Sequence, residues 1–163
     1  SIIAKEKKLN RIIVDYDEFR LNFGEKENLG DNFLNISDSK FDGFERFFEK
    51  IDLCIIANSD ISCLTKAIDI VRKGGIILFF GEPKVNSKIK VDLSKIYSKE
   101  IKIITSYSAT NLDFHESIKK IVENQINLSN LITHEFGFEN SVKAIKLAND
   151  GKNRIKVVIS KNN

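Results

Sequence analysis

Short apolar runs alternate along the chain with amphipathic stretches. Arg11 to Val14 is a β-branched run, and Phe19 and Phe23 stand four apart in the stretch that follows. Phe33 to Ile36 is a second run, Phe44, Phe47 and Phe48 form a helical stripe, and Leu53 to Ala57 is a third run. Asp60 then caps a helix on which Leu64, Ala67, Ile68 and Val71 keep i, i+3, i+4, i+7 spacing. Arg72 and Lys73 fall in its expected last turn, with Gly74 as the stop. Gly75 to Phe80 and Ile101 to Ser106 read as continuous strands. Apolar runs without in-out alternation, separated by helices, predict strands buried on both faces of a parallel sheet. The expected class is α/β.

Beyond Ser106 the pattern is helical. Thr110 and Asp113 form a capping box before an apolar face of Phe114, Ile118, Ile121 and Val122. A second helix is expected over about 138–150, with Val142, Ile145 and Ala148 inward and Gly151 as its stop. Ile155 to Ile159 closes the chain as a strand.

The 163 residues suffice for one ordinary core, and at 42% hydrophobic the chain is too apolar to be disordered. A net charge of +3 is spread without a basic stripe, which argues against nucleic acid as a partner. No apolar run approaches a membrane span. Cys54 and Cys63 form neither a C-x-x-C pair nor a disulfide framework, so a cytoplasmic location is expected.

In an open parallel sheet, ligands bind at the carboxyl ends of the strands. Asp15 stands there, directly after Arg11-Ile12-Ile13-Val14. A carboxylate in that position can accept both ribose hydroxyls of an adenine nucleotide and repels a 2′-phosphate, which favours NAD over NADP; a turn or a helix cap is its other use. The glycine-rich turn that completes a dinucleotide fingerprint is not in the sequence, and Ser1 to Lys8 reads as the remainder of the helix that follows such a turn. The chain is therefore expected to be part of a longer one, without the central first strand of the order 3-2-1-4-5-6. An S-adenosylmethionine-dependent methyltransferase also uses an acid after its second strand. It needs a late antiparallel strand pair, which the Leu131 to Phe138 block does not suggest. A non-catalytic nucleotide-binding remnant is the third reading.

Several blocks occur in a characteristic order: Asp15-x-x-x-x-Arg20, Arg72-Lys73-Gly74-Gly75-Ile76, Phe80-Gly81-Glu82-Pro83 and Ser106-Tyr107-Ser108-Ala109-Thr110. Leu131-Ile132-Thr133-His134, Phe138-Glu139 and Gly151-Lys152-x-x-Ile155-Lys156-Val157-Val158-Ile159 follow. Together they resemble the C-terminal, NAD-binding half of the medium-chain zinc-dependent alcohol and polyol dehydrogenases, nearer the sorbitol and threonine dehydrogenase branch. The resemblance implies a Rossmann-like doubly wound sheet. It divides the chain into a partial dinucleotide-binding domain, 1–108, and a helical segment with a final strand, 109–163, that joins a GroES-like catalytic domain. It also implies hydride transfer between a secondary alcohol and NAD.

Residue by residue, the resemblance puts Asp15 on the adenosine ribose with Arg20 beside it over the adenosine. Asn58 and Ser59 come under the cofactor, Phe80, Gly81 and Glu82 line the nicotinamide pocket, and the backbone of Ser106 and Ser108 grips the carboxamide. Lys156 faces the pyrophosphate, where a cation answers a dianionic linkage. Where the family commonly has glycine this chain has Asn58, which tolerates a left-handed backbone but brings a side chain toward the cofactor. Zinc belongs to the GroES-like domain, which this sequence lacks. Cys54, Cys63, His115 and His134 are scattered, so neither a metal site nor a catalytic residue is expected here. The resemblance further implies a homo-oligomer paired through the sheet edge at Ile101 to Ser106, with an alcohol or polyol as the substrate.

Overall fold

The computed structural model describes residues 2–36 and 45–161. Among the described residues, seven strands and six helices alternate, and every strand pair is parallel. The α/β Rossmann-like class follows from that alternation. The chain divides into two compact units, 1–40 with 111–163, and 41–110.

The first unit opens with a short helix α1 (Ile2–Glu6) and a β-α-β unit of β1 (Ile12–Asp15), α2 (Glu18–Lys26) and β2 (Asn32–Asn35). The β1–β2 register pairs Ile13 with Phe33 and Asp15 with Asn35. Helix α2 packs on this ladder through buried Leu21 and Gly24. A Cβ on Gly24 would stand 2.8 Å from the Phe33 ring, so only glycine permits that approach. Arg11 anchors the entry to β1 through Nε and Nη2, which donate to the Asp31 carboxylate at 3.1 and 2.9 Å.

The same unit contains α5 (Asn111–Val122), β6 (Ile132–Gly137), α6 (Ser141–Asp150) and β7 (Lys156–Ser160). Strand β7 forms where expected and pairs with β6 in parallel. Strand β6 is an addition to the expected pattern, although Ile132, His134 and Phe136 alternate at the strand period. The parallel pairing supplies no late antiparallel pair of the kind a methyltransferase needs. Gly151 ends α6 with a left-handed φ of 75°, as expected. The inward face of α6 differs from expectation. Ala144 is buried at 1%, whereas Val142 and Ile145 are 66% and 55% exposed. The close approach of β7 to α6 selects the small residue, and the two large ones fall on the opposite side.

The second unit is a sheet of order β3-β4-β5, formed by β3 (Ile51–Ile56), β4 (Val71–Phe79) and β5 (Lys102–Thr105). Helix α3 (Cys63–Ile70) joins the first two strands and α4 (Leu93–Ser98) precedes the third. Strand β1 pairs with β2 in the first unit, and β4 lies between β3 and β5 in the second. The core lies where α3 covers β3 and β4: Val71 and Ile77 are fully buried and Ala67 and Ile68 are 2% exposed. Burial on both faces, expected of the strands, is not met at β3 or β5. Leu53, Ile55, Ile103 and Ile104 remain 45%, 54%, 41% and 48% exposed, since α3 covers one face alone.

Helix α3 also ends sooner than its pattern predicts. Val71 is already the first residue of β4, paired with Ile51, and the ladder resumes at Leu53–Ile76 after an irregular step. Arg72 therefore leaves the helix and its Nε donates to Asp52 at 2.6 Å. Lys99 takes over the last turn: its Nζ donates to the carbonyls of Ile68 and Asp69 at 3.1 and 3.2 Å and pairs with Glu49 at 3.1 Å. Gly74 keeps a left-handed φ of 70°, but inside the irregular step rather than as a helix stop. The Phe47 and Phe48 stripe yields only a short 3₁₀ turn, Glu45–Phe47, and Phe44 lies outside the described residues.

Candidate functional site

The predicted nucleotide residues divide between the units: Asp15, Arg20 and Lys156 in the first, and Asn58, Ser59, Phe80, Gly81, Glu82, Ser106 and Ser108 in the second.

In the first unit, Asp15 is the last residue of β1. Its Oδ1 accepts the Asp17 N–H at 3.0 Å, an Asx turn that holds the carboxylate at the strand end. Its Oδ2 lies 3.6 Å from Arg20 Nη1. Asp17 caps α2, with Oδ1 accepting the Phe19 N–H at 2.9 Å, and its Oδ2 stands 3.7 Å from Arg20 Nε. One guanidinium is thus shared by two carboxylates at the mouth of a strand-to-helix turn. Asp17 escaped the sequence reading, and its signal is the cap position of an Asp-x-Asp-x-x-Arg pattern. Lys156 begins β7 opposite Ile132, and its carbonyl accepts the Thr133 hydroxyl at 3.2 Å.

In the second unit, the turns after β3 and β4 are pinned together. The Phe80 and Gly81 N–H groups both donate to the Ile56 carbonyl, at 3.0 and 2.9 Å. A Cβ on Gly81 would fall 1.9 Å from the Asn58 carbonyl oxygen, so this contact excludes every other residue. The Ser106 N–H donates to the Phe79 carbonyl at 3.4 Å, which brings the β5 exit alongside. Ser108 adopts a left-handed φ of 58°. Asn58 has no left-handed backbone, and the expected conformational reason for asparagine is not met. Its side chain instead closes its own loop: Oδ1 accepts the Asp60 N–H at 2.9 Å, and the amide lies 3.6 Å from the Cys63 sulfur.

Asp60 does not cap α3 directly. It accepts the Ser62 N–H at 2.9 Å one turn earlier, and bonding to Ser62 holds its carboxyl below the usual range. Burial, with the Cys63 thiol nearby, pushes the Cys54 thiol up to about 11, so it is a neutral packing residue at neutral pH. Phe80 is 59% exposed, and Ser59, Glu82, Ser106 and Ser108 are exposed at the same strand ends.

Among the described residues no three His, Cys, Asp or Glu side chains come together as metal ligands. A catalytic zinc needs three protein ligands, and the described residues do not fit it. Asp15 Oδ2 faces Arg20 and, as a carboxylate oxygen, retains capacity to accept a hydrogen bond. A cavity of about 380 Å³ in the first unit is lined by Ile2, Glu6, Glu27, Leu29 and Asn130 among others, and none of the predicted residues lines it. No described helix is long and apolar enough to cross a membrane.

No protein-family model matches the chain. Sorbitol dehydrogenase 1 of Saccharomyces cerevisiae is 26% identical over 82 residues, covering 50% of this chain and 22% of the yeast protein. L-arabinitol 4-dehydrogenase of Aureobasidium melanogenum is 31% identical over 91 residues, 56% of this chain and 24% of that protein. An alcohol dehydrogenase of Escherichia coli CFT073, complexed with the cofactor NADH, superposes with a TM-score of 0.85 at 27% identity, over 97% of this chain and 47% of that one. The match to the curated relatives spans only about a quarter of their length. In sequence and fold the chain is similar, over part of their length, to sorbitol and polyol dehydrogenases and to zinc-binding alcohol dehydrogenases.

Proposed function

We propose that this chain is the NAD-binding portion of an NAD-dependent, zinc-assisted alcohol or polyol dehydrogenase that acts on a secondary alcohol. The observation that carries the reading is Asp15, held by its Asx turn at the carboxyl end of a parallel strand. The likeness to an NADH-complexed alcohol dehydrogenase over nearly the whole chain supports it. When bound, NAD supplies the nicotinamide that exchanges a hydride with the alcohol carbon.

The residues of this chain bind and orient. Asp15 accepts the ribose hydroxyls, and Arg20 stands beside the adenosine. Asn58 and Ser59 support the cofactor at the β3 exit, while Phe80, Gly81 and Glu82 border the nicotinamide. The backbone of Ser106 and Ser108 holds the carboxamide, and Lys156 answers the pyrophosphate charge. Zinc belongs with a catalytic domain outside these residues. We further read the protein as cytoplasmic and as a homo-oligomer paired through the β5 edge, where Ile103 and Ile104 are exposed.

Calorimetric titration with NADH and with S-adenosylmethionine tests the reading. Heat with NADH, lost in Asp15→Asn, is expected. Heat only with the methyl donor would transfer the chain to the methyltransferases, and heat with neither would leave a non-catalytic remnant.

A further inference from the structure

We propose that Asp17, by sharing Arg20 with Asp15, makes this turn select a dinucleotide with a free ribose 2′-hydroxyl over one that carries a 2′-phosphate. The proposal rests on the nucleotide-binding reading above and adds to it a positioning residue that sets specificity. Arg20 spans the two acids, with Nη1 3.6 Å from Asp15 Oδ2 and Nε 3.7 Å from Asp17 Oδ2. Asp15, Asp17 and Arg20 keep only 24%, 15% and 33% of their side chains exposed, so solvent screens the cluster incompletely.

The charge count decides the preference. Two carboxylates and one guanidinium give this trio of side chains one net negative charge. A neutral 2′-hydroxyl can donate to Asp15, whereas a 2′-phosphate brings about −1.5 to −2 charges to a turn already negative, a range carried over from phosphorylated side chains. Arginine is the residue best suited to a phosphate, but this one is already committed to two acids. Removing the Asp17 charge neutralises the turn and leaves Arg20 with a single partner, free to pair with a phosphate. Asparagine retains the side-chain oxygen that caps α2 through the Phe19 N–H, so the substitution changes charge without removing the cap.

The test is fluorescence titration of the chain and its Asp17→Asn variant with NADH and with NADPH. The wild-type chain is expected to prefer NADH. In the variant the preference should fall by about two- to fivefold, the size of effect that one partly exposed ion pair supports. Adding Arg20→Gln to Asp17→Asn should restore the discrimination by weakening NADPH. A merely structural Asp17 would weaken both ligands together and leave their ratio unchanged, and that result overturns the proposal while leaving NAD binding intact. A wild-type chain that binds neither dinucleotide would remove the nucleotide-binding reading and this inference together.

Discussion

A carboxylate at the end of a strand can shape the turn or bind a ligand. Oδ1 of Asp15 holds the Asx turn and Oδ2 faces Arg20, and the proposed nucleotide role is compatible with that arrangement. Gly81 shows the opposite case, where no side chain at all is tolerated. Gly81→Ala would drive a Cβ into the Asn58 backbone, and we expect a loss of about 1–3 kcal/mol together with NADH binding, measured by urea denaturation and titration. Acid sensitivity resides partly in Asp31. Hydrogen bonds from Arg11 hold its carboxyl below the usual range. A depressed folded value means that its contribution is present above the unfolded pKa of about 3.9 and is lost as pH falls through the lower folded one. Between about pH 6 and about pH 3 the urea midpoint should fall less in Asp31→Asn than in the wild type. At this scale Asp15 was legible because a strand end followed by an acid is a sequence signal. The loop-closing bonds of Asn58 to Asp60 and Cys63 were missed although they are local, an Asx turn of the kind asparagine favours.

At the scale of elements, β1, β2, β5 and β7 were legible as apolar runs to within a residue or two, β3 and β4 formed with shifted starts, and β6 was missed. What the runs could not specify was where one element yields to the next. The apolar spacing of α3 includes Val71, yet pairing with Ile51 claims that residue for β4. Cation spacing after the helix pointed to Arg72 and Lys73, but the α3 carbonyls are served by Lys99, which is distant in sequence and adjacent in the fold. Lys99→Met keeps the aliphatic stem and removes the donor. It should destabilise the unit by about 1–2 kcal/mol, read as a lower thermal midpoint, whereas Lys73→Met should change it little. Helix α4 was also missed, although Asp92 is a capping signal: its carboxylate accepts the Ser94 and Lys95 N–H groups at 2.9 and 3.3 Å.

On the scale of the whole molecule, the described ladders are all parallel, in agreement with the expected α/β class. The apolar faces of β3 and β5 remain unusually open for such strands. If the β5 edge pairs with its twin, sedimentation at micromolar concentration should give a dimer, and a monomer throughout would remove that part of the account. The central claim is that a dinucleotide binds at the carboxyl ends of these strands. Amide chemical-shift mapping on addition of NADH tests it most directly. The account predicts shifts at Asp15, Asp17, Asn58, Gly81, Ser106 and Ser108. Shifts confined to residues around the cavity of Glu6, Glu27 and Asn130, or none at all, would contradict it.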